Sequence, residues 1–258
     1  MIKSNLKQHI SHWGMRLLDQ FLPPRCLSCG VGAQDTGRIC PDCWKGLEFL
    51  QGPACVCCGF PFQYDSGMIG VLCGGCQARR PAFDRARAAV RYDDGSRRMI
   101  ISFKHSDRTD YADFFGQMLL LASQALDASG DRPRDASGVI VVPVPLHKKR
   151  LQKRRYNQAA LMGHAFARKK QYDYIPDLLI RTKYTPPQEG DHSHRWRNVA
   201  GAFTINAKYK DRLAGRTIIL VDDVYTTGAT VGACSKTLKR AGAAQVEIVT
   251  VARVCQPA

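Results

Sequence analysis

Residues 218–230 read IILVDDVYTTGAT, and this stretch decides the fold class to which the rest of the chain must conform. An apolar, β-branched run ends in two carboxylates, Asp222 and Asp223, and a loop of small and hydroxyl residues follows. Residues 230–241 then have the composition of a helix, with Gly242 placed to end it. The stretch therefore predicts a buried strand, a ligand-binding loop and a helix in direct succession.

The loop carries groups suited to a phosphorylated sugar. Ligands of open α/β sheets bind at the carboxyl ends of the strands, and a helix N-terminus offers free N–H groups and a favourable dipole to phosphate. The glycine lets the backbone approach closely, and the two carboxylates suit ribose hydroxyls or a hydrated magnesium ion. The predicted binding residues are Asp222, Asp223, Thr226, Thr227, Gly228, Ala229 and Thr230.

Three other interpretations of this stretch explain it less well. A P-loop ATPase needs Lys followed by Ser or Thr after its glycines, and the stretch has neither at that place. A receiver domain opens with its acid-bearing strand, whereas only 35 residues follow Asp223 here. An ordinary strand–turn–helix leaves two adjacent acids and three threonines in one loop without a reason.

The flanking sequence predicts an α/β fold with a central parallel sheet. From residue 80 onward, strand-like and helix-like stretches alternate, which is the pattern of a parallel sheet with helices on both faces. Strands are predicted at residues 88–92, 139–143, 178–181, 217–221 and 246–252, and helices at residues 97–103, 111–126, 158–169 and 230–241.

The region before residue 80 is built around cysteines. Nine of the 11 cysteines lie between Cys26 and Cys76, and eight of them form four CxxC pairs, enough thiolates for two tetrahedral zinc sites. Sequential pairing is the simplest assignment, an interleaved cross-brace is the alternative, and Cys57 is an extra candidate that could replace a neighbour. The predicted ligands of two structural Zn²⁺ ions are Cys26, Cys29, Cys40, Cys43, Cys55, Cys58, Cys73 and Cys76.

The N-terminal stretch bears on the compartment and thus on the cysteine chemistry. Residues 1–22 predict a short amphipathic helix without the apolar core of a signal peptide, so we expect a cytoplasmic protein. In that compartment clustered cysteines favour metal over disulfides, with an iron–sulfur cluster or redox dithiols as the remaining alternatives. No run of about 18 apolar residues predicts a transmembrane segment.

The charge predicts a polyanionic partner. The chain has 38 basic and 22 acidic residues, a formal net charge of +16, which favours nucleic acid, an anionic lipid surface or a phosphorylated small molecule. Two stretches concentrate this charge, residues 79–98 with seven arginines and residues 147–155.

At residues 218–230 the chain resembles the phosphoribosyltransferases of the purine and pyrimidine type. The resemblance implies that Asp222 and Asp223 contact ribose hydroxyls and that residues 226–230 bind the 5′-phosphate of phosphoribosyl pyrophosphate, with Mg²⁺ on the diphosphate. Four further stretches, in the same order, resemble the ComF family, in which paired zinc ribbons precede a phosphoribosyltransferase domain. They are FLPPRCLSCG, FKHSDRTDYADFFGQML, VVPVPLHKKRLQKRRYNQAA and QEGDHSHRWRNVAGAF.

This resemblance implies two further parts of the site. The family has Gly in its diphosphate loop where this chain has Arg155. Between Gln188 and Asn198 this chain is one residue shorter than the family, so Arg195 aligns better than Arg197 with the arginine of the family's loop. The implied diphosphate-loop residues are Val144, Pro145, Leu146, His147, Lys148 and Arg154, and the implied flexible-loop residues are Gln188, Arg195 and Asn198.

Three hypotheses of function follow. The first is an enzyme that transfers phosphoribose to an unidentified amine or base. The second is a single-stranded DNA-binding accessory protein of DNA uptake and natural transformation, as the ComF resemblance implies, which keeps the ligand site without turnover. The third is a structural zinc adaptor. The expected domains are an N-terminal helix at residues 1–22, a double zinc ribbon at 23–80 and a phosphoribosyltransferase-like domain at 81–258.

Overall fold

The structure is a computed structural model that describes residues 24–65, 67–68, 70–105, 110–127, 138–184 and 199–255. The predicted N-terminal helix and the loop residues Gln188, Arg195 and Asn198 lie outside the described residues. The chain divides into two compact units, Met1–Gly46 and Leu47–Ala258. This division assigns the last two CxxC motifs to the same unit as the sheet, while the boundaries expected at residues 22 and 80 stay predictions.

A five-stranded, all-parallel sheet is the centre of the larger unit. Its strand order is β1-β7-β6-β2-β3, and β4 and β5 form a separate antiparallel pair. The strands are β1 Arg85–Arg91, β2 Val139–Pro143, β3 Asp173–Tyr174, β4 Leu179–Arg181, β5 Phe203–Ile205, β6 Thr217–Tyr225 and β7 Gln245–Arg253.

Helices cover the sheet and close the loops between its strands. They are α1 Pro41–Lys45, α2 Gly74–Ala78, α3 Asp94–His105, α4 Tyr111–Asp127, α5 Lys148–Arg154, α6 Gln158–Lys170 and α7 Ala229–Arg240, with a 3₁₀ helix at Ala207–Arg212. Among the described residues, no helix combines the length and the hydropathy needed to span a bilayer.

Strand β6 shows why the sheet is covered on both faces. Successive side chains of a strand point to opposite faces. Ile218 and Leu220 join a buried cluster that includes Leu238 of α7. Val221 points the other way, where a Cβ at Gly163 of α6 would lie 3.7 Å from its Cβ. The predicted α/β fold with a central parallel sheet flanked by helices is thus confirmed.

Apart from β2, every strand and helix predicted within the described residues differs from the observed one at one or both ends, and β3 and β5 were not predicted. Two of the differences lie next to the candidate site. Strand β6 continues four residues past the predicted end at residue 221, because β7 offers pairing partners as far as Tyr225 and Arg253. The basic stretch after β2 contains a helix, α5, in place of a continuous loop. His147 begins this helix by accepting a hydrogen bond from the Lys149 N–H at 3.3 Å, and Lys, Arg, Leu and Gln are all good helix formers.

Candidate functional site

The acidic pair lies near the carboxyl end of β6, within the strand rather than in the loop that follows it. The Asp223 N–H donates to the Asp222 Oδ1 at 2.9 Å. The Asp223 Oδ2 lies 2.6 Å from the Lys104 Nζ, and the two side chains are 18% and 23% exposed. Lys104 belongs to the last turn of α3, so that helix delivers a cation to the end of the central strand.

Opposing influences act on the pKa of Asp222. The pKa of the Asp222 carboxyl is raised to about 7, mainly by burial and next by the negative charge of Asp223. Lys104 and Arg181 act in the opposite direction. A carboxyl with this pKa is only partly ionised at neutral pH. Ribose hydroxyls or a divalent cation would favour its ionised form, because a donor or a positive charge stabilises the carboxylate.

The loop after the acidic pair opens helix α7. Gly228 has φ 74°, in the left-handed region, and precedes the first helical residue. The Thr227 Oγ1 accepts a hydrogen bond from the Ala229 N–H at 3.3 Å, and Thr226 is exposed. Gly228 itself has no side chain to cap the helix, so the Thr227 hydroxyl satisfies one first-turn N–H group. A helix N-terminus of this kind is an arrangement that can bind phosphate.

Tyr225 lies directly behind this loop. A Cβ at Gly228 would come 2.4 Å from the Tyr225 hydroxyl oxygen, far closer than real carbon–oxygen contacts. Glycine is therefore required at residue 228 for two reasons, the positive φ and the close approach of the tyrosine. Tyr225 is only 8% exposed, so the loop is packed against a fixed ring.

The predicted diphosphate loop follows the neighbouring strand β2. The Val144 N–H donates to the Val221 carbonyl at 2.9 Å, which places this loop beside the end of β6. The Asn157 Nδ2 donates to the Val144 carbonyl at 3.0 Å, and its Oδ1 caps α6 at the Ala159 N–H, 3.1 Å away. The two parts of the predicted ligand site thus meet at one edge of the sheet.

The members of the diphosphate loop differ in exposure. Val144 and Pro145 are buried, and Lys148 is exposed. Leu146 and His147 are half-buried, and the Arg154 Nη1 donates to the Gln158 Oε1 at 3.4 Å. The backbone of the first residues and the cations of α5 are therefore the groups that this loop offers to an anion.

Arg155 has a left-handed backbone conformation, which favours glycine. Its φ is 64° and its ψ is −27°, at the C-terminal end of α5. A left-handed φ is strained for any residue with a Cβ, at a cost of about 1 kcal/mol. The diphosphate loop therefore holds a strained residue at the position where the ComF resemblance implies glycine.

Lys104 is a site residue that the sequence analysis missed. Two side chains of the diphosphate-loop region hold the end of its helix: the Tyr156 hydroxyl donates to the Phe103 carbonyl at 3.0 Å, and the Gln158 Nε2 donates to the same carbonyl at 3.4 Å. A signal was present in the sequence, because Lys104 belongs to one of the stretches that resemble the ComF family. Its partner, Asp223, lies 119 residues away and is not visible from the local pattern.

Arg181, at the end of β4, is a second missed cation. Burial lowers the pKa of its guanidinium, the positive charge of Arg150 lowers it further, and Asp222 raises it. The guanidinium carbon lies 5.5 Å from the centre of the Phe203 ring. Arg150 and Arg181 therefore add positive charge near Asp222 and the diphosphate loop.

The eight predicted cysteine ligands form two groups of four, paired sequentially. One group is in the first ribbon (residues 24–45) and the other in the second ribbon (residues 53–78). Within each group the sulfurs lie within 4.8 Å of one another, and Cys57 belongs to neither. The Cys29–Cys40 and Cys58–Cys73 sulfur pairs are 3.7 and 3.6 Å apart. Zn–S bonds of about 2.3 Å give a tetrahedron with edges of roughly 3.8 Å, so both groups fit structural zinc.

Backbone donors point at the sulfurs, as expected around thiolates. The Cys26 Sγ accepts from the N–H groups of Ser28, Cys29 and Cys40 at 3.4, 3.5 and 3.2 Å. The Cys55 Sγ accepts from the Cys58 N–H at 3.5 Å. These donors stabilise the deprotonated sulfurs that a metal needs.

Comparison with known proteins agrees with both parts of the chain. The model of the double zinc ribbon domain matches residues 17–77, and that of the phosphoribosyl transferase domain matches residues 177–257. Competence protein F of Haemophilus influenzae is 29% identical over 231 residues, 89% of this chain and 96% of that protein. DNA utilization protein YhgH of Escherichia coli K12 is 26% identical over 95% of this chain and 92% of its own length.

Competence protein ComFC of Bacillus subtilis is 24% identical over 84% of each chain. A solved adenine phosphoribosyltransferase covers 54% of this chain and 69% of its own, with a TM-score of 0.33 and 19% identity. The sheet, the acidic pair and its loop define a phosphoribosyltransferase-type domain. The paired zinc ribbons before that domain, and the competence proteins that are similar over most of its length, support a ComF family protein.

Proposed function

We propose that this protein binds phosphoribosyl pyrophosphate at the carboxyl edge of its sheet, with the ribose hydroxyls on Asp222 and Asp223 and the 5′-phosphate on residues 226–230. The observation that carries the proposal is the succession of a half-buried acidic pair, a left-handed glycine and a helix N-terminus. Carboxylates accept from the vicinal hydroxyls, and the helix N-terminus donates to the phosphate, so one element holds both ends of the sugar phosphate.

The diphosphate would lie toward the loop after β2. In this loop Leu146 and His147 would offer backbone N–H groups, and Lys148 and Arg154 would offer cations. The N–H of Val144 is already bonded to the Val221 carbonyl and Pro145 has none, so these two residues would line the site without donating. Magnesium prefers oxygen ligands and commonly bridges diphosphates, so we propose Mg²⁺ as the partner of the ligand here. Lys104 would move from Asp223 toward the ligand or remain as its neutralising charge, because its Nζ lies 2.6 Å from the Asp223 Oδ2.

The proposed reaction, where turnover occurs, is transfer of phosphoribose to an amine or nitrogenous base. The bond from C1 to the diphosphate oxygen breaks, the acceptor nitrogen forms its bond to C1, and the acceptor loses a proton to solvent. Charge develops on the ring and on the leaving diphosphate, and the cations and N–H groups at this edge stabilise the latter. We assign no catalytic base to the described residues.

The relatives' names supply the biological setting that we propose. Competence protein F and DNA utilization protein YhgH are named for roles with DNA, and we infer a role for this chain in DNA uptake and use, in the cytoplasm. One structural feature favours single-stranded DNA as a partner: the exposed Tyr184 ring is 5.2 Å from the His147 ring and 5.3 Å from the Lys149 Nζ. An exposed aromatic ring beside cations is a surface on which bases stack.

The test of ligand identity is a calorimetric titration with phosphoribosyl pyrophosphate, with and without Mg²⁺. Micromolar binding that weakens at least about tenfold without Mg²⁺ is expected, since the metal neutralises the diphosphate. Ribose 5-phosphate should bind more weakly to the same site, and diphosphate alone should not compete with it fully. Absence of a binding signal for phosphoribosyl pyrophosphate at millimolar concentration would refute the proposal.

Turnover and DNA binding need separate tests. Diphosphate release measured with a panel of purines, pyrimidines and amines would identify an acceptor, and its absence across the panel would leave the binding protein without transferase activity. A labelled oligonucleotide titrated at low and moderate salt tests the second partner. Binding should weaken steeply with salt, as phosphate contacts require, and Tyr184→Ala should reduce it at both salt concentrations.

A further inference from the structure

The second ribbon contacts the sheet of its own unit at very short range. The Ala86 N–H on β1 donates to the Cys57 carbonyl at 2.7 Å. A Cβ at Gly59 would lie 2.5 Å from the Ala86 carbonyl oxygen, so only glycine permits this approach. The cysteine turn between Cys55 and Gly59 is therefore attached directly to the edge strand of the phosphoribosyltransferase sheet.

Arg253, the last residue of β7, extends this contact to the end of the central strand. Its side chain is buried, and its Nη1 and Nη2 donate to the Cys58 carbonyl and to the Cys58 Sγ, the latter at 3.5 Å. The guanidinium carbon also lies 4.5 Å from the centre of the Tyr225 ring and 5.4 Å from that of Phe60. One planar group thus touches a predicted zinc ligand with its edge and a site tyrosine with its face.

Tyr225 carries the contact into the ligand loop. Its backbone pairs with Arg253 in the β6–β7 register, and its carbonyl accepts from the Val254 N–H at 2.9 Å. Its hydroxyl lies against Gly228, and Phe83 packs edge-on against the ring at 6.1 Å. A continuous path of packed groups therefore joins Cys58, Arg253, Tyr225 and Gly228.

We propose that Arg253 is a positioning residue that couples the second ribbon to the loop at residues 226–230. The inference rests on the proposed function, because that loop is the one we assign to the 5′-phosphate. Four thiolates around a divalent zinc carry a net charge of −2, which an adjacent buried guanidinium offsets. With the ribbon formed, Arg253 is held flat against Tyr225, and Tyr225 is held against Gly228.

Arg87 provides a matched control on the same cysteine turn. Its guanidinium also contacts the ribbon, from the edge strand β1, and burial lowers its pKa. Its Nη1 donates to the carbonyls of Cys55, Val56 and Ala86 at 3.4, 3.3 and 2.8 Å. These acceptors lie on the ribbon and on β1, so Arg87 docks the ribbon without the contact to Tyr225 that Arg253 makes.

The test compares Arg253→Met with Arg87→Met in the full-length protein. Zinc content, amide hydrogen exchange at Ala229 and Gly232 and the dissociation constant for phosphoribosyl pyrophosphate are measured for each. The N–H groups of these two residues bond to the Thr227 Oγ1 and the Gly228 carbonyl, so their exchange reports opening of the loop. Arg253→Met should keep the wild-type zinc content, accelerate exchange in the loop by about tenfold and weaken ligand binding by about tenfold, because opening of the loop competes with binding. Arg87→Met should leave the loop exchange and the affinity within about twofold of the wild type.

Two results would overturn the proposal. One is unchanged loop exchange in Arg253→Met, and the other is an equal acceleration in Arg87→Met, which would mean that ribbon docking in general, and not Arg253, orders the loop. Should Arg253→Met fail to fold, Arg253→Lys keeps the charge and loses the planar face, and loop exchange must still accelerate. Hydrogen exchange needs no ligand, so it decides the coupling even if the wild type does not bind phosphoribosyl pyrophosphate, a result that would refute only the proposed function.

Discussion

Two cysteine turns of this chain, at residues 24–33 and 53–62, share the same backbone hydrogen bonds. In each, the N–H of the first cysteine donates to the carbonyl five residues later, at 2.7 Å in the first turn and 2.8 Å in the second. In each, the glycine after the second cysteine donates back to the first cysteine, at 3.0 and 2.9 Å. The CxxCG pattern therefore determines the local geometry twice, independently of what surrounds it.

The surroundings of the two turns differ. A Cβ at Gly30 of the first turn would meet no atom within 4 Å, whereas a Cβ at Gly59 of the second would meet the Ala86 carbonyl at 2.5 Å. Cys29 is exposed, and its counterpart Cys58 is buried under Arg253. The same chelating sequence thus forms a locally contained site in one place and part of the phosphoribosyltransferase core in the other.

The largest expected difference comes from removal of one ligand in each ribbon. Cys58→Ser should lower the Tm of the larger unit by about 10 °C or more, because structural zinc supplies much of the folding energy of a ribbon and this ribbon is part of the core. Cys29→Ser should lower that Tm by less than about 2 °C. Scanning calorimetry with zinc analysis measures both, and equal losses of Tm would contradict the comparison.

Substitution of Gly30 and of Gly59 by alanine separates the effect of docking on the free energy of unfolding from the effect of backbone strain. Gly30 and Gly59 both have positive φ, 76° and 69°, so each substitution costs about 1 kcal/mol through strain alone. Gly59→Ala adds the clash with Ala86 and should cost about 3 kcal/mol or more in total, since overpacking adds a further 1–3 kcal/mol. Urea unfolding of both variants gives the two free energies, and a difference below about 1 kcal/mol would show that the second turn is not tightly docked.

A variant of the acidic pair separates its response to pH from that of the ribbons, whose zinc binding also depends on pH. The folded pKa of Asp222, about 7, lies above the ordinary aspartate value of 3.8, so the native state binds more protons between these values. The free energy of unfolding of the ligand-free protein should therefore contain a part that falls as pH rises from 4 to 7. Asp222→Asn should lack that part, and identical pH profiles of variant and wild type would refute the raised pKa.

The same ionisation should govern ligand affinity with the opposite sign. The carboxylate accepts from ribose hydroxyls or binds Mg²⁺, so affinity should rise by about tenfold between pH 6 and pH 8 for one group of pKa about 7. Calorimetry at the two pH values measures this rise, with correction for ionisation of the ligand's own phosphates by a titration of ligand and Mg²⁺ alone. A flat affinity would indicate that Asp222 does not contact the ligand.

The smallest expected effect is a stabilisation of the larger unit by a substitution outside both ribbons. Arg155 has a left-handed φ of 64°, so Arg155→Gly should raise the free energy of unfolding of the larger unit by up to about 1 kcal/mol. Part of this gain is offset by the greater backbone entropy of glycine in the unfolded chain. Urea unfolding is the measurement, and a loss of more than about 1 kcal/mol would mean that other contacts of Arg155 outweigh its strain.

Local patterns predicted what depends on local sequence. Strand β2 was predicted with its observed ends, because VIVVP is apolar throughout and a proline closes it. The end of β6 was predicted too early, because its continuation depends on pairing with β7. Helix α5 was not predicted, because its basic residues show no apolar periodicity and its start depends on the side chain of His147.

The site shows the same division. The acidic pair, the glycine loop and both cysteine groups were predicted from short motifs. Lys104, Arg181 and Arg253 were not, because each acts on a group that is distant in sequence: Lys104 on Asp223, Arg181 on Asp222, and Arg253 on a cysteine 195 residues before it. Motifs therefore identify the groups that bind, and only the fold identifies the charges that surround them.

The central claim, that the acidic pair and its loop form a phosphoribosyl pyrophosphate site, is tested most directly by a crystal structure of the protein with this ligand and Mg²⁺. The predicted result places both ribose hydroxyls within hydrogen-bond distance of Asp222 and Asp223, and the 5′-phosphate on the N–H groups of residues 226–230. Ligand density elsewhere, for example on the basic residues of α5 alone, or an empty loop under conditions where calorimetry shows saturation, would contradict it.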